Sequence, residues 1–308
     1  MAGRWAVRRA MGRRTATGID VAAGDVRVVV VSRRRRGMDV RVEGVDTEPL
    51  GQPDGPDDAR WAAVGRALSA AVSRLSARGV RCDVSGVMAL REDEMRTAML
   101  DLAGRDDIPD AARQAAERIS GLAPDSLAFD WRPADGARPG EIAIAAAPQA
   151  ALQRRIEAAA AAGVDLTAVD CEPIAALRAL RFAALRQPDA HEPCFALWFA
   201  DAGVRGWLLD RGAAVQQFAF PDRAQAALPD ALRAFARRRA RCTVVGGDTR
   251  CLARLGTSVA EVGDLLGTIV LPFECAPWAG GSPTARSGAP GGPAFAVAFG
   301  LALRGVWE

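Results

Sequence analysis

Residues 18–32 read GIDVAAGDVRVVVVS. Ile19 and Val21 make a short apolar strand with one acid, Asp20, at its end. Four small or acidic residues follow, Ala22, Ala23, Gly24 and Asp25, and the chain then returns as a β-branched run from Val26 to Val31. Strand, small-residue turn and returning strand predict a hairpin. In a large α/β protein the tip of such a hairpin suits a phosphate group. Its backbone N–H groups form an anion cradle, and small side chains let the phosphate approach. An acid at the strand end can hold the accompanying metal through water. An ordinary buried hairpin has the same pattern, so the two readings part only on the rest of the chain.

Outward from this hairpin, Arg33–Arg36 read as a solvated turn and MDVRVEGV (38–45) as a third, alternating strand. Residues 18–46 are therefore a three-strand meander. No aromatic residues interleave with the arginines, so a nucleic-acid partner is not expected. After a polar loop at 51–58, residues 59–78 place Trp61, Val64, Leu68, Val72 and Leu75 on one side of a helix, with Gly79 as its C-cap. A strand over Cys82–Leu90 follows. Residues 91–147 change character: charged, with a helix near 110–120 and two extended stretches joined at 133–140, they predict a small inserted α+β subdomain. A helix over 149–162, the strand DLTAVDCEP and a helix to Phe182 lead to a linker, Pro188–Pro193, that holds the single histidine, His191.

Residues 194–220 repeat the plan of residues 18–46: strand, small-residue turn, strand, Arg-Gly turn, strand. A duplicated meander, each copy followed by a helix (here 223–239), predicts two related halves. The strand CTVVGGDTR (242–250) delivers Gly246 and Gly247 to its end, ahead of a helix at 248–255. Such a pair lets a flat ligand or phosphates come close to the backbone. After a Gly/Pro/Ser loop at 276–293, an apolar helix over AFAVAFGLALRGV (294–306) should return to the first half.

The 308 residues are half hydrophobic and one quarter charged, with a formal charge of +3, enough to bury a core and too mildly basic to call for nucleic acid. There is no lysine, which excludes a Schiff base or a P-loop lysine. Six scattered cysteines without a C-x-x-C pair argue against zinc or a disulfide scaffold and for reduced, buried thiols. No apolar run is long enough to cross a bilayer. The first 17 residues carry Arg4, Arg8, Arg9, Arg13 and Arg14 without an acid. They read as a basic flexible segment, suited at most to a weak contact with anionic headgroups.

Several stretches then match one family together. GIDVAAGDVRVVVVS resembles the first phosphate loop of the PilM-type actin-like proteins of type IV pilus assembly. DLTAVDCEPIAALRAL resembles their connecting strand and helix, VVGGDTRCLARLG their adenosine-site glycine pair, and AFAVAFGLALRG their C-terminal helix. IPDAARQAAERISGLAPDSLAFDW resembles the inserted subdomain they share with FtsA. The resemblance implies an actin/hexokinase-like (ribonuclease H-like) two-lobed α/β fold. Its first lobe would be 18–90, 148–182 and 294–308, its inserted subdomain 91–147 and its second lobe 194–293.

The resemblance also implies a cytoplasmic protein peripheral to the inner membrane. It would bind the N-terminal tail of a PilN-like membrane protein, and through it PilO- and PilP-like proteins, with the tail in a groove between residues 18–90 and 91–147. ATP with Mg would occupy the cleft between the lobes, on Asp20, Ala22, Ala23, Gly24, Asp25, Arg27, Asp201, Gly203, Gly246, Gly247 and Asp248, with Asp20 toward the metal. In this chain Ala22, Ala23, Gly24 and Asp25 stand where the family has glycine and serines, and Arg27 where it has lysine. Each lost hydroxyl removes roughly 1 kcal/mol, and a carboxylate at Asp25 facing a phosphate would cost about 1–4 kcal/mol. Asp201 and Gly203 sit in an irregular second loop, with Phe199, Arg205 and Trp207 where small or acidic residues are usual. The cleft is thus expected to be weakened or vestigial, turnover weak or absent, and no side chain is nominated as catalytic. The alternatives are a phosphotransferase or ATPase of the same superfamily, for which Asp20, Glu172 and Asp201 would be the acids, and the cytoplasmic domain of a type II secretion protein.

Overall fold

The computed structural model describes residues 13–34, 39–51, 57–83, 85–102, 107–133, 140–221, 228–254, 256–279 and 291–307. Strands β1 (Arg13–Val21), β2 (Asp25–Arg34) and β3 (Val40–Pro49) form the expected meander. β1 begins at Arg13, so the last five residues of the segment expected to be a flexible tail belong to the sheet. In RRTATGIDV every residue from Ala16 to Val21 is buried, Ala16 and Ile19 in clusters on opposite faces of the strand, and Arg13 is held by a hydrogen bond of 2.7 Å to Ser32 on β2. Residues 1–12, and Arg35 and Arg36 of the expected Arg33–Arg36 turn, lie outside the described residues, while Arg33 and Arg34 extend β2.

Helix α1 (Asp57–Ala77) starts two residues earlier than its apolar face suggests, with Asp57 and Asp58 in its first turn, where the helix dipole favours acids. The next strand, β4 (Gly86–Leu90), is shorter than the expected 82–90. β5 (Arg96–Asp101) is a strand the sequence reading did not anticipate. Ala98 and Leu100 are half-buried while Thr97, Met99 and Asp101 are exposed, and this weak alternation hides the strand in a charged stretch. Helix α2 (Ile108–Ser120) is capped by Asp107, which accepts from the Asp110 N–H. β6 (Leu127–Pro133) and β7 (Glu141–Pro148) join β5 in a small antiparallel sheet of order β5-β7-β6, with α2 on its inner face.

Helix α3 (Gln149–Ala161), β8 (Leu166–Cys171) and helix α4 (Glu172–Ala184) follow as expected. The second meander is β9 (Cys194–Ala200), β10 (Gly203–Asp210) and β11 (Ala213–Pro221). Helix α5 (Leu228–Phe235) ends before the basic run, four residues short of the expected 239, and residues 222–227 lie outside the described residues. β12 (Cys242–Gly247), one helical turn at Cys251–Arg254, helix α6 (Val259–Leu266), β13 (Ile269–Pro272) and helix α7 (Ala296–Trp307) complete the chain.

The two large sheets have the same plan. The first runs β3-β2-β1-β4-β8 and the second β11-β10-β9-β12-β13. In each, the second strand is antiparallel to both neighbours and the other pairs beyond the meander are parallel. This is the ribonuclease H-like order, present twice, with the small sheet inserted after β4.

One hydrophobic cluster reaches from Val29 and Val31 of the first sheet to Ala196 and Val244 of the second, with α4 and α7 between them. Ten of the twelve residues of α7 are buried, which is why AVAFGLALRGVW is apolar all round. Phe299 sits against Phe182, Phe273 and Trp278 with ring centroids 5.4, 5.2 and 5.0 Å away. The helix lies unusually close to its neighbours. A methyl group added at Gly300 would stand 1.9 Å from the Ala175 carbonyl oxygen of α4, and one at Gly18 would stand 1.9 Å from the Ala298 oxygen of α7. Glycine at these two positions lets backbone meet backbone, and so fixes β1 and its turn relative to the second sheet.

Candidate functional site

The two hairpin tips face the space between the sheets. In the first, Val21 pairs with Val26 and the Ala22 N–H donates to the Asp25 oxygen at 3.0 Å, closing a turn over Ala22–Asp25. In the second, Ala200 pairs with Gly203, so Asp201 and Ala202 form a two-residue loop exposed to solvent. Electrostatics place the tips close together: Asp25 and Asp201 both push the Asp20 carboxyl upward, and both act on Arg250.

Register sets the centre of the site. Asp20 on β1 lies directly opposite Arg27 on β2, on the buried face, at 3% and 6% exposure. The Arg27 guanidinium has three partners. Its Nη1 lies 3.5 Å from Asp20 Oδ2 and donates to the Ala294 carbonyl at 3.0 Å. Its Nε lies 2.9 Å from Asp25 Oδ1, but off the N–H axis, so this buried oxygen gains an ion pair and no hydrogen bond. Burial raises the Asp20 carboxyl to about 6, against the pull of Arg27, and Asp25 and Asp201 add to the rise.

A second acid lies behind the first. Glu172, in the first turn of α4, is raised to about 8, by burial first and then by the charge of Asp20. Around it stand Arg91 and Glu94, from the segment that opens the inserted subdomain, and Arg155. Arg155 is buried on α3 and joins the parts. It donates to the Ala89 oxygen at 2.6 Å and to Glu94 Oε2 at 2.5 Å, and stacks 4.8 Å from the Trp61 ring centre. From the second sheet, Arg205 Nε donates to Glu92 Oε2 at 2.8 Å, which bridges the two sides. Trp207, two residues on, is core.

The fold gathers Asp20, Ala22, Ala23, Gly24, Asp25, Arg27, Asp201 and Gly203 at the tips, with Gly246, Gly247 and Asp248 at the end of β12. The glycine pair has neighbours of its own. A methyl group at Gly247 (φ +89°) would stand 2.0 Å from the Phe199 oxygen, and one at Gly246 would stand 2.8 Å from Ala296 Cβ and 3.0 Å from Leu180 Cδ2. These glycines are required where β12 closes on β9 and on helices α4 and α7. The Asp248 carboxylate, lowered chiefly by Arg250, takes that guanidinium at 2.8 and 2.7 Å.

The Arg27 guanidinium lies beside the turn that would cradle the phosphates and pairs with the Asp20 oxygen that would face a metal, so a Mg-nucleotide here would compete with that ion pair, and the Asp25 oxygen beside it lacks a donor. Among the described residues no group of three or more His, Cys, Asp or Glu is arranged to hold a metal ion. Sequence reasoning missed Arg91, Glu92, Glu94 and Arg155 as neighbours of this site. The charged run REDE (91–94) directly after an apolar strand was the signal available.

No model of a known protein family matches the chain, and no curated protein sequence matches it either. Solved structures do. A chain of the PilM–PilN type IV pilus biogenesis complex superposes with a TM-score of 0.69 at 20% identity, covering 95% of this chain and 99% of that one. A Bacteroides thetaiotaomicron protein with an actin-like ATPase fold gives 0.49 at 6% identity, over 86% and 92% of the two chains. The cytoplasmic domain of EpsL, an inner-membrane component of the Vibrio cholerae type II secretion system, gives 0.41 at 10%, over 75% and 81%. The last two likenesses are too loose to carry an argument. The chain has the two-lobed actin-like fold with an inserted subdomain, and resembles the PilM-type structure over nearly its whole length.

Proposed function

We propose that this chain is a PilM-like scaffold of type IV pilus assembly, which captures the N-terminal tail of a PilN-like membrane protein and does so without nucleotide. The observation that carries the reading is the extent of the likeness to a chain of the PilM–PilN complex, which covers 95% of this chain and 99% of that one. Arg27, Asp20 and Asp25 support its second half, since the cation that balances the acids is part of the chain itself. On this reading the ATP–Mg cleft is weakened or vestigial, and turnover is at most that of a weak ATPase.

The reading divides the chain into a first lobe (18–90, 148–182, 294–308), an inserted subdomain (91–147) and a second lobe (194–293). It places the tail between the first lobe and the insertion. An extended tail gains main-chain hydrogen bonds from an unpaired sheet edge and specificity from apolar anchors. β5 is such an edge, and Met99 on it is 60% exposed. Through its partner the protein sits at the cytoplasmic face of the inner membrane and connects to PilO- and PilP-like proteins, with a weak headgroup contact from its basic N-terminal segment. No helix among the described residues is long and apolar enough to cross a membrane, so this reading routes membrane attachment through the partner.

The test is co-elution of the full chain with a detergent-solubilised PilN-like protein of the same cell, intact or lacking its N-terminal tail. Co-elution with the intact protein alone supports the reading. Equal elution with both forms, or with neither, overturns it.

A further inference from the structure

Cys194 and Cys242 are the first residues of β9 and β12, and these parallel strands are neighbours in the second sheet with the two cysteines as register partners. Neighbouring strands run about 4.8 Å apart, inside the roughly 4.4–6.8 Å between Cα atoms that a disulfide spans. Their sulfurs already touch: Cys242 Sγ donates to Cys194 Sγ at 3.4 Å, and Cys194 Sγ donates onward to the Phe195 carbonyl at 3.2 Å. Both are free thiols. A surface recess, lined by Asp189, Glu192, Gly212 and Arg241, opens onto the pair. The sequence shows no C-x-x-C motif because the pair is made by strand order and not by chain proximity.

We propose that Cys194 and Cys242 form a hydroperoxide-sensitive dithiol, a modification site that closes to a disulfide when hydrogen peroxide enters this recess. Cys242 is the attacking sulfur. When it loses its proton, the Cys194 thiol can turn from the Phe195 carbonyl to donate to the thiolate, and this bond lowers Cys242. Burial opposes the shift, Arg241 assists it and Glu192 opposes it. Arg241 is in turn shared with Asp189, at 2.6 Å. The same hydrogen bond, with burial, moves Cys194 strongly upward, so the pair has one nucleophile and one resolving thiol. By contrast, burial raises Cys82 to about 11 and Cys171 to about 12.

The chemistry closes in two steps. The Cys242 thiolate attacks one peroxide oxygen, an S–O bond forms, the O–O bond breaks, and the departing hydroxide takes a proton to leave as water. Cys194 then attacks the resulting sulfenic sulfur. The S–S bond forms, the S–O bond breaks, and the leaving hydroxide takes the Cys194 proton as a second water. Two thiols are oxidised and one peroxide is reduced. The cross-link joins two strands 48 residues apart in sequence, so the oxidised form unfolds at a higher temperature than the reduced one.

The test treats the reduced, folded full chain with a small excess of hydrogen peroxide, alkylates the remaining thiols and maps peptides without reductant. The expected product is a Cys194–Cys242 linked peptide, two hydrogens lighter than the two thiol peptides together, with free thiols falling from six to four and recovering with dithiothreitol. In Cys194→Ser, whose hydroxyl can still donate to the thiolate but cannot form a disulfide, Cys242 should stop at sulfenic acid and be trapped by dimedone. The rate of oxidation should rise with pH as the attacking thiol ionises, and at lower pH than for the other five cysteines. Oxidation of the six cysteines at equal rates, linkage only after denaturation, or a folded wild-type chain with both thiols intact in excess peroxide would each overturn the proposal.

Discussion

Arg27 donates from the first large sheet to the carbonyl of Ala294, 3.0 Å away, in the segment that leads into the C-terminal helix. The guanidinium is buried and also faces Asp20 and Asp25. One side chain therefore neutralises the acids of the hairpin and ties that hairpin to the helix lying between the sheets.

Removing Arg27 leaves the buried Asp20 and the partly exposed Asp25 without their cation. Breaking a buried pair from one side costs about 3–5 kcal/mol, so Arg27→Ala should lower the unfolding free energy from urea titration by that much at neutral pH and by less at acid pH, where Asp20 is protonated. Arg27→Lys keeps the charge without the planar fork and should fall between the two. An Arg27→Ala variant as stable as wild type would mean that the hairpin does not depend on this cation.

Stability should fall as pH rises through the range of the two raised acids. Asp20 moves from 3.8 to about 6 and Glu172 from 4.5 to about 8. Between the ordinary and raised values the folded chain holds more protons than the unfolded one, so its stability declines with rising pH. Their contribution is complete below the ordinary values and gone above about 8. Asp93, Asp248 and Glu261 are lowered, and act in the opposite sense in acid. Thermal melts across this range should show the decline, and Glu172→Gln should flatten its upper part.

At Gly300 the backbone contact leaves no room for a side chain, because the added carbon would stand 1.9 Å from a carbonyl oxygen. Gly300→Ala should destabilise by at least about 1–3 kcal/mol, visible in denaturant titration. Gly24→Ala, at a tip with nothing within 4 Å, is the control and should change little.

The bridge between Arg205 and Glu92 joins the second sheet to the start of the insertion, but its side chains are 26% and 44% exposed. Pairs so placed contribute roughly 0–1 kcal/mol. A double-mutant cycle with Arg205→Ala and Glu92→Ala should give a coupling in that range, diminished by salt.

Much of this was legible in the sequence because it rests on local patterns. The hairpin and its repeat follow from apolar runs and short small-residue turns, while the register that sets Arg27 opposite Asp20 came with the structure. The extent of α5 and the presence of β5 were not legible. Basic residues continue the helical pattern beyond Phe235 without an apolar contact to hold them, and β5 alternates only weakly. The reason for Gly246 and Gly247 was hidden too, since it lies in what Phe199, Ala296 and Leu180 do in space. The Cys194–Cys242 contact is likewise made by strand order alone.

If the tail adds beside β5, its nearest apolar anchor is Met99. Met99→Glu should weaken tail binding at least tenfold, about 1.4 kcal/mol, while leaving the melting temperature unchanged. Unaltered affinity would move the tail elsewhere.

The most direct test is calorimetric titration of the full chain with the N-terminal tail peptide of the PilN-like protein, in nucleotide-free buffer and again with saturating Mg-ATP. The account predicts binding of the same affinity in both. Binding only with Mg-ATP would contradict the nucleotide-free cleft, and no binding in either would contradict the scaffold itself.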